Sequence, residues 1–276
     1  MNKSPSGFSM TRTSFVILVT LFLSSYLAKG QILTGPKVGI NLSTMHFDEK
    51  QYTRDYETVW RPGFSGGWVF NYSASKSTVW SFHGELYYST KGRTIQKRGL
   101  DYVKNVTRFH NIDMPAMFRG TFQMGSLKWY VNAGPALSYW VYGNGQISSS
   151  ELDEGKVGTV NYHYDFTKYD SPRPDERDYP IANGIIEVPN ANRLQVGLSF
   201  GGGFEFPVLE DQIVQLDFRY NMGHTNIGEK EDNFFGLNKY KENFEGSNRN
   251  VEISLAFLLD YNTQLRKKGR STSKVK

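Results

Sequence analysis

Trp80, Phe82, Leu86 and Tyr88 fall on one parity of a single stretch, with Gly84 between them, while Ser81, His83, Glu85, Tyr87 and Ser89 fill the other parity. A period of two is the period of a β-strand, whose successive side chains point to opposite faces. Each face must therefore meet a different medium. Seven further stretches repeat the pattern, at about 36–43, 62–72, 108–120, 127–141, 194–206, 214–222 and 251–261. The connections between the eight run long, short, long, short, long, short, long. An even number of strands puts both chain ends on one side, and outer-membrane barrels sort their connections this way, with short turns in the periplasm and long loops outside. The expected fold is all-β, an eight-stranded antiparallel transmembrane β-barrel with short periplasmic turns and long extracellular loops. A ring of eight leaves an interior just wide enough for side chains, so no open diffusion pore is expected.

The amino terminus agrees with that compartment. Lys3 and Arg12 precede an apolar run at 15–23, followed by Ser24, Ser25 and the small-residue exit Ala28-Lys29-Gly30. This is the pattern of a secretion signal cleaved near Gly30, and the run is shorter than a spanning helix needs. The expected organisation is a signal peptide over 1–30, a barrel over 31–261 and a basic periplasmic tail over 262–276. A hydrophobic fraction of 38% resembles that of a soluble protein. Barrels share this value because only alternate strand residues need be apolar. The 17 Tyr, 19 Phe and 5 Trp suit aromatic girdles at both membrane interfaces.

The absence of cysteine excludes disulfides, thiolate metal sites, a cysteine nucleophile and an acylated lipoprotein cysteine. Of the formal net charge of +5, the signal segment carries three positive charges and the tail six, which leaves −4 on the residues between. Basicity therefore lies off the folded body, and no nucleic-acid partner is expected.

Residues 84–92, together with Ile112-Asp113-Met114-Pro115, Asn132-Ala133-Gly134-Pro135, Gly201-Gly202-Gly203-Phe204-Glu205 and Arg219-Tyr220, carry a resemblance. The chain resembles the PorT-like outer-membrane β-barrel proteins of Bacteroidetes from about Gly35 to Tyr261. The resemblance implies an eight-stranded barrel in the cell outer membrane. It also implies a role assisting protein secretion by the gliding-associated (type IX) system, as for that family's founding members.

Glu85, Asp113, Arg119, Glu205, Asp217, Arg219 and Glu252 lie on inward parities, since charge on the lipid face is very costly. They are expected to form a structural charge network, with arginine forks pairing carboxylates. Five histidines raise an enzymatic alternative. His46 lies near Asp48, His83 near Glu85, His110 near Asp113 and His163 near Asp165, with His224 apart. Catalysis on lipid or peptide would need these groups to converge with a nucleophile or water. No two histidines have metal-ligand spacing, and no cofactor is expected. Gly63-Phe64-Ser65-Gly66-Gly67 matches the serine-hydrolase pattern but opens a strand, where that motif requires a strand-to-helix elbow. The glycine run at 201–203 sits in mid-strand, unlike a phosphate-binding loop. Pro115 suggests a bulge or strand boundary.

Within the long segment after 145, Val160, Tyr162, Tyr164 and Phe166 alternate with polar residues, so part of it extends the sheet beyond the membrane, and 171–180 reads as irregular loop. The expected role is structural or interactive rather than catalytic. The partners are outer-membrane lipid, and proteins met through the third and fourth long loops or the basic tail. The remaining alternative is a soluble lipocalin-like binder, in which the aromatic face would turn inward around a ligand.

Overall fold

The computed structural model describes residues 30–75, 78–125, 127–153, 156–166, 184–188, 191–209, 211–229 and 235–262. In chain order its elements are β1 (Gln31–Phe47), α1 (Lys50–Asp55), β2 (Tyr56–Ser73), β3 (Trp80–Lys97), β4 (Leu100–Met124), β5 (Leu127–Asp153), β6 (Lys156–Asp165), β7 (Ile185–Glu187), β8 (Leu194–Leu209), β9 (Gln212–Gly223) and β10 (Gly246–Asn262). Eight of the strands close a ring in the order β1, β2, β3, β4, β5, β8, β9, β10. The seam pairs β1 with β10 antiparallel, from Gln31 opposite Asn262 to Phe47 opposite Gly246. No described helix is long and apolar enough to cross a membrane. The proposed signal, residues 171–180 and the basic tail beyond Asn262 lie outside the described residues.

The two parities face opposite ways, as the alternation requires. On β1, Val38 and Ile40 are 66% and 68% exposed, whereas Lys37 and Asn41 are 2% and 3% exposed. An apolar exterior around a polar interior is the reverse of what a lipocalin-like binder needs.

Beyond the membrane the faces exchange chemistry without changing direction. The inward parity of β1 runs Lys37, Asn41, Ser43 and then Met45, Phe47, while the outward one runs Val38, Ile40, Leu42 and then Thr44, His46. The same exchange on β3 and β4 explains why the predicted polar loop at 90–107 is a hairpin, turned at Gly99 with φ +78°. Val103 and Phe109 point inward there and Lys104 and Arg108 outward, so the segment reads as polar although it pairs regularly. The predicted loop at 44–60 similarly holds the end of β1, α1 and the start of β2. β5 continues to Asp153 and pairs with β6 from Asn144 opposite His163 upward.

Pro115 makes neither bulge nor boundary. Gly84 opposite Ala116 and Tyr87 opposite Asp113 share one register, and Pro115 itself pairs with Ala136. The irregularity on this hairpin lies instead at Val141, between the pairs His110 with Tyr142 and Asn111 with Trp140.

Two apolar clusters bracket the polar interior. A small floor at the periplasmic end joins Leu33, Val69, Ala256 and Leu258, with Ile213 against it. A large roof above the membrane includes Phe47, Tyr52, Phe109, Trp140, Tyr164, Tyr240 and Phe244. The described part of the fourth long segment folds down into the mouth, where it contributes Ile227, Phe235, Leu237, Tyr240 and Phe244 to that roof.

Candidate functional site

Between floor and roof, β1, β3, β9 and β10 bring charged side chains to one level because their inward parities are in register. Glu85 is the hub. It accepts hydrogen bonds from Lys37 Nζ at 2.8 Å, from Arg219 Nη1 and Nη2 at 2.6 and 2.7 Å, and from His83 Nε2 at 2.8 Å. Lys37 also pairs with Glu252 at 2.9 Å, and the same carboxylate oxygen accepts from Ser65 Oγ. Arg219 Nη2 lies 2.9 Å from Asp217 Oδ1, an ion pair whose geometry is not that of a hydrogen bond.

Towards the floor, Arg119 pairs with Glu205 at 3.2 Å, donates to Gln215 at 2.9 Å and stacks 3.8 Å above the Tyr130 ring. Tyr130 donates to Asp217 at 2.8 Å. On the other side, Lys91 reaches Asp113 at 2.7 Å, and Ser89 donates to the same carboxylate. Forked, charge-assisted contacts of this kind compensate the cost of taking ions out of water.

All seven charged residues singled out from sequence thus lie inside the ring, each with an ion-pair partner. Lys37 and Lys91 were missed, although both share the parity of their neighbours: Lys37 precedes Gly39 and Asn41 by two and four residues, and Lys91 follows Ser89 by two. Lys37 already lies within the stretch at 36–43, and extending the third stretch by one residue pair reaches Lys91.

A separate buried ion pair ties the roof together. Arg93 Nη2 meets Glu242 Oε1 at 2.6 Å, and its guanidinium lies 5.6 to 5.7 Å from the Phe47, Phe109 and Phe244 rings. Burial disfavours this cation most, but Glu242 together with Tyr164, Tyr240 and Tyr52 outweighs it and the Arg93 pKa is raised. Glu242 also accepts from Asn105 at 2.6 Å and Tyr240 at 3.0 Å. Burial, followed by the Glu242 charge, pushes the Tyr164 phenol up to about 12.

The histidines do not converge. His83 is sealed in the interior beside Glu85. His110 lies on the outward parity, bonded to the Tyr88 hydroxyl, while Asp113 faces inward. His163 stacks on Tyr142 on the outer wall, and His46 lies 3.3 Å from Asp48 at an exposed site. Ser65, the serine of the hydrolase-like pattern, donates to Glu252 and serves as a strut. Among the described residues no group of three acidic or histidine side chains could hold a metal ion.

Solved barrels show a loose likeness. Neisserial surface protein A is 12% identical, with a TM-score of 0.37 over 83% of this chain and 97% of that one. OprG from Pseudomonas aeruginosa is 10% identical, with a TM-score of 0.43 over 84% and 95%. No curated protein matches the chain. Residues 24–229 match the family described as outer membrane protein beta-barrel domain, and the chain belongs to that family, as a barrel of the outer membrane.

Proposed function

We propose that this protein is a sealed, non-catalytic barrel acting as a structural or interaction component of the outer membrane, with its extracellular β-extension offered to a protein partner. The observation that carries this reading is the continuous fill of the interior by floor, ion pairs and roof. The void beside Tyr87, Lys91 and Asp113 amounts to about 40 Å³, enough for a water or two rather than a solute. The separated histidines and the structural role of Ser65 favour this reading over a barrel enzyme.

The resemblance of residues 84–92 and the companion motifs to PorT-like barrels supports a finer role, assistance to protein secretion by the type IX system. Planar-bilayer recording of the purified barrel, joined with cargo export in a deletion strain, tests both levels. The expected results are no steady conductance steps and cargo retained in the cell. A stable open conductance discards the sealed barrel. Unaltered export discards the secretion role alone.

A further inference from the structure

The outer wall of the extension holds a groove of about 550 Å³ that crosses from β2 to β6. Its polar walls come from Arg61, Arg108, Asn144, Gln146, Asn161 and His163, and among the described residues no carboxylate lines it. Gly92 sits opposite Arg108 in the β3–β4 ladder, and the stem of Arg61 runs beside it. A Cβ at that position would come 3.5 Å from both Cβ and Cδ of Arg61. Both arginines line the one groove, where burial and then the Arg108 charge lower the Arg61 pKa. Among the described residues neither side chain has an ion-pair or hydrogen-bond partner. Two cations lining one groove without a counter-charge among the described residues, on a chain that pairs its interior charges so thoroughly, mark a place for an anion.

The level of the groove says which anion. Along its lower edge five rings step across the wall, Phe64, Tyr88, His110, Tyr142 and His163, the last two lining the groove itself, with successive centroids 5.8, 5.9, 5.4 and 6.4 Å apart. Beneath them begins the lipid-facing band, with Ile112, Met114 and Leu137. Aromatic rows of this kind lie at the headgroup level. Arg108 is two residues beyond His110, or about 7 Å further out along the strand. That is where lipid phosphates lie.

We propose that the groove binds the phosphate of a phosphorylated lipid headgroup in the outer leaflet. Arg61 and Arg108 clamp the phosphate, and Asn144 and His163 bond to headgroup hydroxyls. A guanidinium fork matches phosphate oxygens in pairs, which an ammonium does not.

The test uses the purified mature barrel in zwitterionic micelles, with bisphosphorylated lipid A or the same lipid stripped of phosphate, and counts retained lipid by native mass spectrometry. Wild type is expected to retain the phosphorylated lipid about tenfold better than the stripped one. The Arg61→Gln, Arg108→Gln double variant is expected to lose that preference while keeping its heat-dependent gel shift. The single change Arg108→Gln, at an exposed position, folds regardless and is expected to lose part of it. Lys104→Gln, on the same strand but off the groove, is expected to lose none. Equal retention of both lipids, a preference that survives in the arginine variants, or loss of the lipid to millimolar inorganic phosphate would overturn the proposal. The last of these would mark a free-anion site.

Discussion

Glu85 makes four charge-assisted contacts in a site closed to water, so its partners are needed to keep it there. Removing Arg219 leaves both Glu85 and Asp217 short of positive charge, and breaking a buried pair from one side typically costs about 3–5 kcal/mol. Arg219→Leu is therefore expected to lower the unfolding midpoint in urea and weaken resistance to heat on unheated gels. A variant with wild-type midpoint and mobility would show that the network does not hold the ring. At this scale the sequence was highly readable within the membrane, because lipid permits charge on one parity only. Arg119, Asp217 and Arg219 follow from that rule alone. Their pairings do not, since Glu85 and Arg219 are 134 residues apart and meet only when the ring closes.

Whole strands were legible only as far as lipid covers them. The predicted ends near Ser43, Ser89 and Val141 fall where the outward face ceases to be apolar, yet β1, β3 and β5 continue to Phe47, Lys97 and Asp153. Above that level water bathes the outside and the roof fills the inside, so the contrast inverts and looks like a polar loop. The glycines of β2 show the same dependence on position. A Cβ on Gly67 would come 2.3 Å from the Leu86 carbonyl oxygen and 2.4 Å from Tyr87 Cα, so the neighbouring backbone must move. On Gly66 the nearest atom would be 3.8 Å away. Gly67→Ala is expected to reduce folded yield and the urea midpoint, with Gly66→Ala close to wild type. Equal behaviour of the two variants would refute close strand approach as the reason for Gly67.

The whole molecule is a stack of apolar floor, ionic middle and aromatic roof, and the roof has its own dependence on pH. Tyr164 is pushed up from 10.0 to about 12 by burial and then by Glu242, and Tyr52, Tyr162 and Tyr240 are raised as well. A phenol whose folded value exceeds its unfolded one favours the folded state fully below pH 10. That contribution falls as pH rises from 10 towards 12, because the unfolded phenol ionises first. Absorbance at 295 nm is expected to show exposed tyrosines ionising near pH 10 and the roof later, together with faster hydrogen exchange in residues 235–244. A single transition near pH 10 with unchanged exchange would exclude a tightly packed roof. The filled interior also dictates an order of assembly. The finished ring has no passage through which Arg93, Trp140 or residues 235–244 could be threaded, so these segments must cross to the cell exterior while the ring is still open. The seam joins the first and last strands of the ring, so it cannot pair until β10 reaches the wall, and a closed ring keeps the extracellular half outside.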